Sequence, residues 1–219
     1  MLRYFFQQVD RYRDDRTQRH AFEFHYEWRR GGLAGPNLGA GNTVPVGDGF
    51  QGNDGIVAWG RWIDNGSGFS GALSGGEGGI LHYVTGIPTT DSRISLGSTG
   101  TYTLLGGGVA GSSTGAGTIT SASMSVDFSA ATVTSLSVGM RVGLTNYVLS
   151  DGGAAINGFG TGANFGAYAP SVSKNGGACS ACSSIGVNGA FFGAGAARAG
   201  VAFKFNDGQD IAGAAALKK

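Results

Sequence analysis

The chain has few of the residues that most enzyme, metal and phosphate sites require. Of its 219 residues, three are histidine, four are proline and two are cysteine, and only 13% are charged. The histidines His20, His25 and His82 show no HExxH or other metal-ligand spacing. No serine lies in a GxSxG context, and no glycine cluster carries the Lys-Ser/Thr of a phosphate loop. We therefore predict no enzyme activity, no cofactor and no metal.

Charge of one sign and long apolar runs are also missing. The formal net charge is +1, which gives no reason to expect the clustered basic surface that nucleic acid needs. No segment approaches the roughly 20 consecutive apolar residues of a transmembrane helix. The apolar stretch that follows Met1 is far too short for a signal peptide. Either the protein is cytoplasmic, or the chain given is internal to a longer precursor with an upstream export signal.

The first 30 residues differ from everything after them. They contain 12 charged residues and no glycine, whereas all 43 glycines follow. We predict an amphipathic helix from five apolar residues at helical spacing, Leu2, Phe5, Phe6, Val9 and Tyr12. Residues 22–28 then alternate apolar and polar, which predicts a strand. A partner-binding or membrane-surface role and a role as a plug or cap both remain open for this part.

We divide the chain into residues 1–30 as a helix-and-strand appendage, 31–55 as a linker or long loop, and 56–219 as the main domain. Residues 31–55 contain nine glycines and two prolines. After them, short β-branched or aromatic runs alternate with Gly, Ser, Asn and Asp. The runs lie at 56–63, 80–85, 101–105, 118–128, 133–138, 140–149, 163–168, 185–192, 200–205 and 211–217. About ten such runs without helices between them predict an antiparallel barrel or sandwich.

The most specific pattern lies in residues 189–217, two short apolar strands with a turn at Asn206, Asp207 and Gly208. Its glycine, phenylalanine and alanine positions are Gly189, Phe191, Phe192, Gly193, Ala196 and Gly200. This segment resembles the closing strands of the β-barrel in transferrin-binding protein B-like surface proteins of bacteria. Residues 58–62 and 81–88 resemble the first barrel strands of such a domain at the C-terminus of some FecR-like proteins.

The resemblance implies an all-β fold, with residues 56–217 forming an antiparallel, closed, soluble barrel of about eight strands. Trp59, Val126, Phe191 and Phe203 are expected among its packed residues. It also implies a non-enzymatic, exported module in the periplasm or on the cell surface of a Gram-negative bacterium. Such a module would bind a protein or an iron-related ligand through its loops, and would reach a membrane only through an anchor not seen here. The alternative is an outer-membrane-spanning barrel with a pore or anchoring role, although several predicted strands have only five or six residues.

Cys179 and Cys182 form a CxxC in a Gly/Ser-rich loop. A zinc site would need further ligands nearby, and a redox CxxC usually opens a helix after a strand. A local disulfide fits this loop best if the protein reaches an oxidising compartment. Free thiols and a metal or redox site remain the alternatives.

The longest segments predicted to be irregular are residues 64–79 and 150–184, and we expect partner contacts there. Loops on a rigid barrel commonly carry recognition residues. The preferred contacts supply aromatic area or amide hydrogen bonds: Asn157, Phe159, Asn164, Phe165 and Tyr168. The alternative is that these loops only close the barrel.

Overall fold

The computed structural model describes Tyr4–Phe5, Thr43–Pro45 and residues 51–64, 80–92, 96–111, 115–166 and 169–219. Within these ranges the chain forms mainly strands, with a 3-10 turn at Ala194–Ala196. The strands are β1 (Tyr4–Phe5), β2 (Thr43–Pro45), β3 (Gly52–Asn53), β4 (Val57–Asp64), β5 (Ile80–Gly86), β6 (Thr99–Gly111), β7 (Gly115–Asp127), β8 (Thr132–Val142), β9 (Thr145–Asp151), β10 (Ala154–Asn157), β11 (Asn164–Gly166), β12 (Ser171–Lys174), β13 (Gly177–Ala178), β14 (Ser183–Phe192), β15 (Arg198–Asn206) and β16 (Asp210–Lys218).

Eight of these strands close into an antiparallel ring. Its order is β6, β7, β8, β10, β11, β14, β15, β16 and back to β6. The link through β10 and β11 is narrow, because β10 pairs with β8 only at Ala154 and Ala155. Strands β9, β12 and β13 extend from the other part of β8. The prediction of a closed antiparallel barrel of about eight strands is confirmed.

The inside of the ring is filled by side chains, as expected for a barrel of this size. Alternation on β7 buries Met124 and Val126, and Phe128 follows at 0% exposure. The Phe191 ring lies at the centre of an aromatic cluster, with Tyr102, Phe128 and Phe165 at centroid distances of 5.8, 5.5 and 5.4 Å. Phe203, Val126 and Phe191 are buried, which confirms their predicted packing.

We expected residues 58–62 and 81–88 to form the first strands of the barrel, and this expectation is wrong. Strands β4 and β5 pair with each other, and with β1, β2 and β3, in a second antiparallel sheet outside the ring. The ring itself begins at Thr99. Trp59 is therefore half-buried between the second sheet and the outer wall, where it packs against the apolar cluster that includes Val57 and Ala216. The alternation of apolar residues in β4 predicts a strand, but it does not indicate to which sheet that strand belongs.

Small residues on the barrel wall let the second sheet approach closely. On β16, Ala214 and Ala216 face this sheet, while Ala215 and Leu217 belong to the barrel core. A Cβ added to Gly200 would lie 2.1 Å from Cγ1 of Val84, far inside van der Waals contact. The glycine- and alanine-rich sequence at the C-terminus thus reflects a strand that is buried on both faces.

The N-terminal predictions meet few described residues. Tyr4 and Phe5 pair as a strand with Gly86 and Thr85, so the predicted helix is wrong at these two positions. The rest of residues 1–30 lies outside the described residues. Within 31–55, two short strands, β2 and β3, pair with β4. Among the described residues, no helix is long and apolar enough to cross a membrane.

Candidate functional site

The turns between strands gather at two opposite ends of the barrel. We call one the hairpin end; it carries the turns at residues 143–144, 175–176 and 207–209. The other is the closure end, with residues 128–131, 158–163 and 193–197. The predicted turn at Asn206, Asp207 and Gly208 is confirmed, and Gly208 has the positive φ of 69° that favours glycine there.

The sequence suggested one irregular loop over residues 150–184, but the structure does not show one. These residues contain four short strands, β10 to β13, and two of these close the ring. The segment therefore contributes to both ends of the barrel rather than to one recognition loop. Tyr168 and residues 65–79 lie outside the described residues. At the closure end, Asn157 and Asn164 are paired on either side of the turn between β10 and β11, and Phe159 lies within that turn.

Phe165 cannot serve as a surface contact, so its assignment was wrong. The side chain is 3% exposed and packs against Phe191 inside the barrel. Strand β11 has only three residues, so the sequence offers no alternation from which the inward direction of Phe165 could be read. Its flanking residues Asn164 and Gly166 remain half-buried and exposed, respectively.

The closure-end turn is held by hydrogen bonds within itself and to the segment after β5. The Thr161 backbone N–H donates to the Gly158 carbonyl at 3.0 Å, and Asn164 Nδ2 donates to the Gly162 carbonyl at 3.1 Å. The Gly160 N–H donates to the Asp91 carbonyl at 3.1 Å. Asn157 is exposed, and Phe159 is half-buried against the barrel core. The turn thus presents an amide and part of an aromatic ring on a constrained backbone.

Two acidic residues from outside the ring brace the same end. The Asp91 carboxylate accepts a hydrogen bond from the Gly195 N–H at 2.8 Å. Arg198 donates to the Asp54 carboxylate, and Asp54 also accepts from the Ile56 and Val57 backbone. Partial burial opposes ionisation, yet these hydrogen bonds together hold the pKa of Asp54 below its usual value. The closure end is therefore tied to the second sheet as well as to the barrel.

A polar cluster at the hairpin end was missed by sequence reasoning. The Tyr147 hydroxyl donates to Asp207 Oδ2 at 2.7 Å, and Lys174 Nζ donates to the same oxygen at 2.6 Å. The Asp207 side chain is only 6% exposed. The hydrogen bond from Lys174, followed by that from Tyr147, lowers the pKa of Asp207. Burial and the Asp207 carboxylate raise the pKa of Tyr147 to about 12. The sequence indicates only a turn at Asp207. No local pattern connects it with Tyr147 and Lys174, because the three residues are far apart in the sequence.

Cys179 and Cys182 are joined in a disulfide beside this cluster. The Cys179 N–H donates to the Val172 carbonyl on β12, and the Cys182 N–H donates to the Cys179 carbonyl, each at 3.1 Å. Both cysteines are half-buried and pack against the barrel core. Their sulfur atoms and an Asp207 carboxylate oxygen lie within 4.8 Å of one another.

No family model matches the chain, and no curated protein is similar to it in sequence. Solved structures do match: transferrin-binding protein B of Haemophilus parasuis Hp5, a Trp-176-Ala mutant, has a TM-score of 0.51 at 13% identity. That match covers 99% of this chain and 45% of the other. The fold is similar to that of transferrin-binding protein B. The isotype 1 protein of serogroup B Neisseria meningitidis matches with a TM-score of 0.47 at 14% identity, over 99% of this chain and 43% of that one. The chain thus spans less than half the length of these transferrin-binding proteins.

Proposed function

We propose that this chain is a non-enzymatic, exported binding module of a Gram-negative cell envelope. Its partner is a protein, of the iron-carrier class for which the transferrin-binding proteins are named. It binds that partner through loops held on a rigid barrel. A FecR-like context remains a prediction made from the resemblance of residues 58–62 and 81–88.

The observation that carries this proposal is the fold. An eight-strand ring, similar to transferrin-binding protein B over 99% of the chain, is a scaffold on which loops can vary while the core stays fixed. Because folds host several functions, this support is an analogy of architecture.

We place the contact surface at the closure end, around Asn157, Phe159 and Asn164. An amide beside a partly exposed aromatic ring offers both hydrogen bonds and apolar area to a partner. The hydrogen bonds of the 158–163 turn already fix its backbone. A constrained loop loses little conformational entropy when it binds, so less of the interaction energy is spent on ordering.

The outward-facing residues of the wall favour this proposal over a membrane-spanning barrel. A membrane-spanning barrel presents an apolar band to lipid. On β6, β7 and β8 the exposed positions include many hydroxyl side chains: Thr99, Thr101, Thr103, Thr118, Thr120, Ser121, Ser123, Thr134 and Ser135. Such a wall is suited to water, and part of the remaining wall is covered by the second sheet.

The test is direct binding of purified serum transferrin, iron-loaded and iron-free, to the immobilised full chain. The double substitution Asn157→Ala and Phe159→Ala should weaken binding by at least about tenfold, because aromatic side chains at the centre of an interface commonly contribute most of its affinity. Leu144→Ala is the matched control. Leu144 is 88% exposed but lies at the hairpin end, so its removal should leave binding unchanged.

Two results would contradict the proposal in different ways. If neither form of transferrin binds the folded wild-type chain, the iron-carrier partner is wrong. If transferrin binds, but Leu144→Ala weakens binding as much as the closure-end double substitution does, then the proposed partner is right and the proposed contact surface is wrong. Circular dichroism of each variant checks that its fold is retained.

A further inference from the structure

The disulfide loop and the polar cluster of the hairpin end place three side chains of metal-ligating types close together. Cys179 and Cys182 offer two sulfur atoms, and Asp207 offers a carboxylate oxygen, all within 4.8 Å of one another. Ligand atoms around a tetrahedral zinc ion lie about 3.6–3.8 Å apart, given its usual bond lengths. Movements of roughly 1 Å would therefore bring the three groups to a common cation.

The surroundings of these groups also fit a metal site. The two hydrogen bonds received by Asp207 both reach Oδ2, so neither is made to Oδ1. Tyr147 would then orient the carboxylate from outside, as hydrogen-bond partners of metal ligands commonly do. Lys174 is 41% exposed, and its flexible side chain can turn towards solvent when a cation neutralises the carboxylate. The loop backbone is fixed to β12 by the Cys179 hydrogen bond.

We propose that the reduced chain binds one zinc ion through Cys179, Cys182 and Asp207, with water as the fourth ligand. Two thiolates, one carboxylate and a water form a four-coordinate donor set of the kind zinc accepts. The disulfide excludes the metal, because its sulfur atoms are bonded to each other and are not thiolates. The hairpin end is thus a redox-gated zinc site, separate from the closure-end surface and independent of the proposed function.

The gating step requires a reductant. A water-soluble phosphine cleaves the sulfur–sulfur bond: two electrons pass from phosphorus to the sulfur atoms, and water supplies the oxygen of the phosphine oxide and the two thiol protons. Zinc then displaces both protons as the thiolates bind it, so its affinity rises with pH. In a cell, a dithiol would serve as the reductant and would itself become a disulfide.

The experiment titrates zinc into the full chain before and after phosphine reduction, with the phosphine removed under anaerobic conditions. A chromophoric chelator reports stoichiometry and affinity, and cobalt(II) substitution reports thiolate coordination by its charge-transfer absorption. Asp207→Asn should lower zinc affinity at least about tenfold, since even outer-shell changes commonly cost 10–100-fold. Asp210→Asn is the matched control, because it makes the same chemical change in the same hairpin. The Asp210 side chain is exposed and accepts a hydrogen bond from Asn206.

One zinc per reduced chain, none per oxidised chain, and an effect of Asp207→Asn but not of Asp210→Asn would support the site. No stoichiometric zinc in the reduced wild type would overturn it, and this result does not depend on how any variant folds. Half a zinc per chain, with thiolates from two chains, would also overturn it. So would equal affinities of the two aspartate variants.

Discussion

Truncating Phe191 to alanine should destabilise the barrel by about 3–5 kcal/mol, the range measured for large aromatic residues in cores. The side chain is 1% exposed, and its ring contacts those of Tyr102, Phe128 and Phe165. Each aromatic pair contributes about 0.5–1.5 kcal/mol beyond the area it buries. These neighbours come from β6, from the turn after β7 and from β11, so they cannot all move inward to fill the void. The upper part of the range is therefore expected.

The assay is equilibrium unfolding by denaturant together with thermal melting. A domain of this size changes its melting temperature by about 2–4 °C per kcal/mol, so Phe191→Ala should lower it by roughly 6–20 °C. Phe191→Leu should cost less because it leaves a smaller cavity. Leu144→Ala, at a side chain that is 88% exposed, should change stability by no more than about 0.5 kcal/mol. If Phe191→Ala is as mild as Leu144→Ala, Phe191 does not occupy the centre of the barrel and the reasoning fails.

Two further predictions concern the barrel wall and the hairpin end. Gly200→Ala should lower the free energy of unfolding by about 1–3 kcal/mol, because the added methyl group overpacks the wall. In a double-mutant cycle, Val84→Ala should relieve part of this loss. If the two substitutions show no coupling, the two sheets do not meet at this point. The pKa of Tyr147 rises from 10.0 to about 12 on folding. The protonated hydroxyl therefore contributes to the free energy of unfolding below pH 10, and this contribution is lost as the pH rises towards 12. Unfolding measured across this interval should show a loss of about 2–3 kcal/mol that Tyr147→Phe lacks; equal pH profiles would refute it.

The sequence was informative where a strand is long and alternates. Met124, Val126 and Phe128 are spaced by two, and all three are buried as that spacing predicts. The same signal failed for β4 and β5, because alternation shows that a strand has a buried face but not which sheet covers it. Trp59 is apolar and packed, yet it packs on the outside of the ring.

The candidate sites were harder to predict because their residues meet only through tertiary structure. Strands of two to four residues, such as β10 and β11, are too short for periodicity, so residues 150–184 looked irregular and Phe165 looked exposed. Asp207, Lys174 and Tyr147 belong to three different elements. No spacing rule connects them, whereas the neighbouring CxxC was visible at once.

The pairing of β16 with β6 has a consequence for the kinetics of folding. Lys218 pairs with Thr103, so closure at this seam must bring together positions separated by roughly half of the chain. Contacts of such long sequence separation slow folding, since chain entropy is lost before they form. Strand β16 consists largely of alanine and glycine, which have little intrinsic preference for strands. We therefore expect the free edge of β6 to stay unpaired until β15 is in place to align β16. A chain whose synthesis has not reached Asp210 lacks the strand that completes the ring.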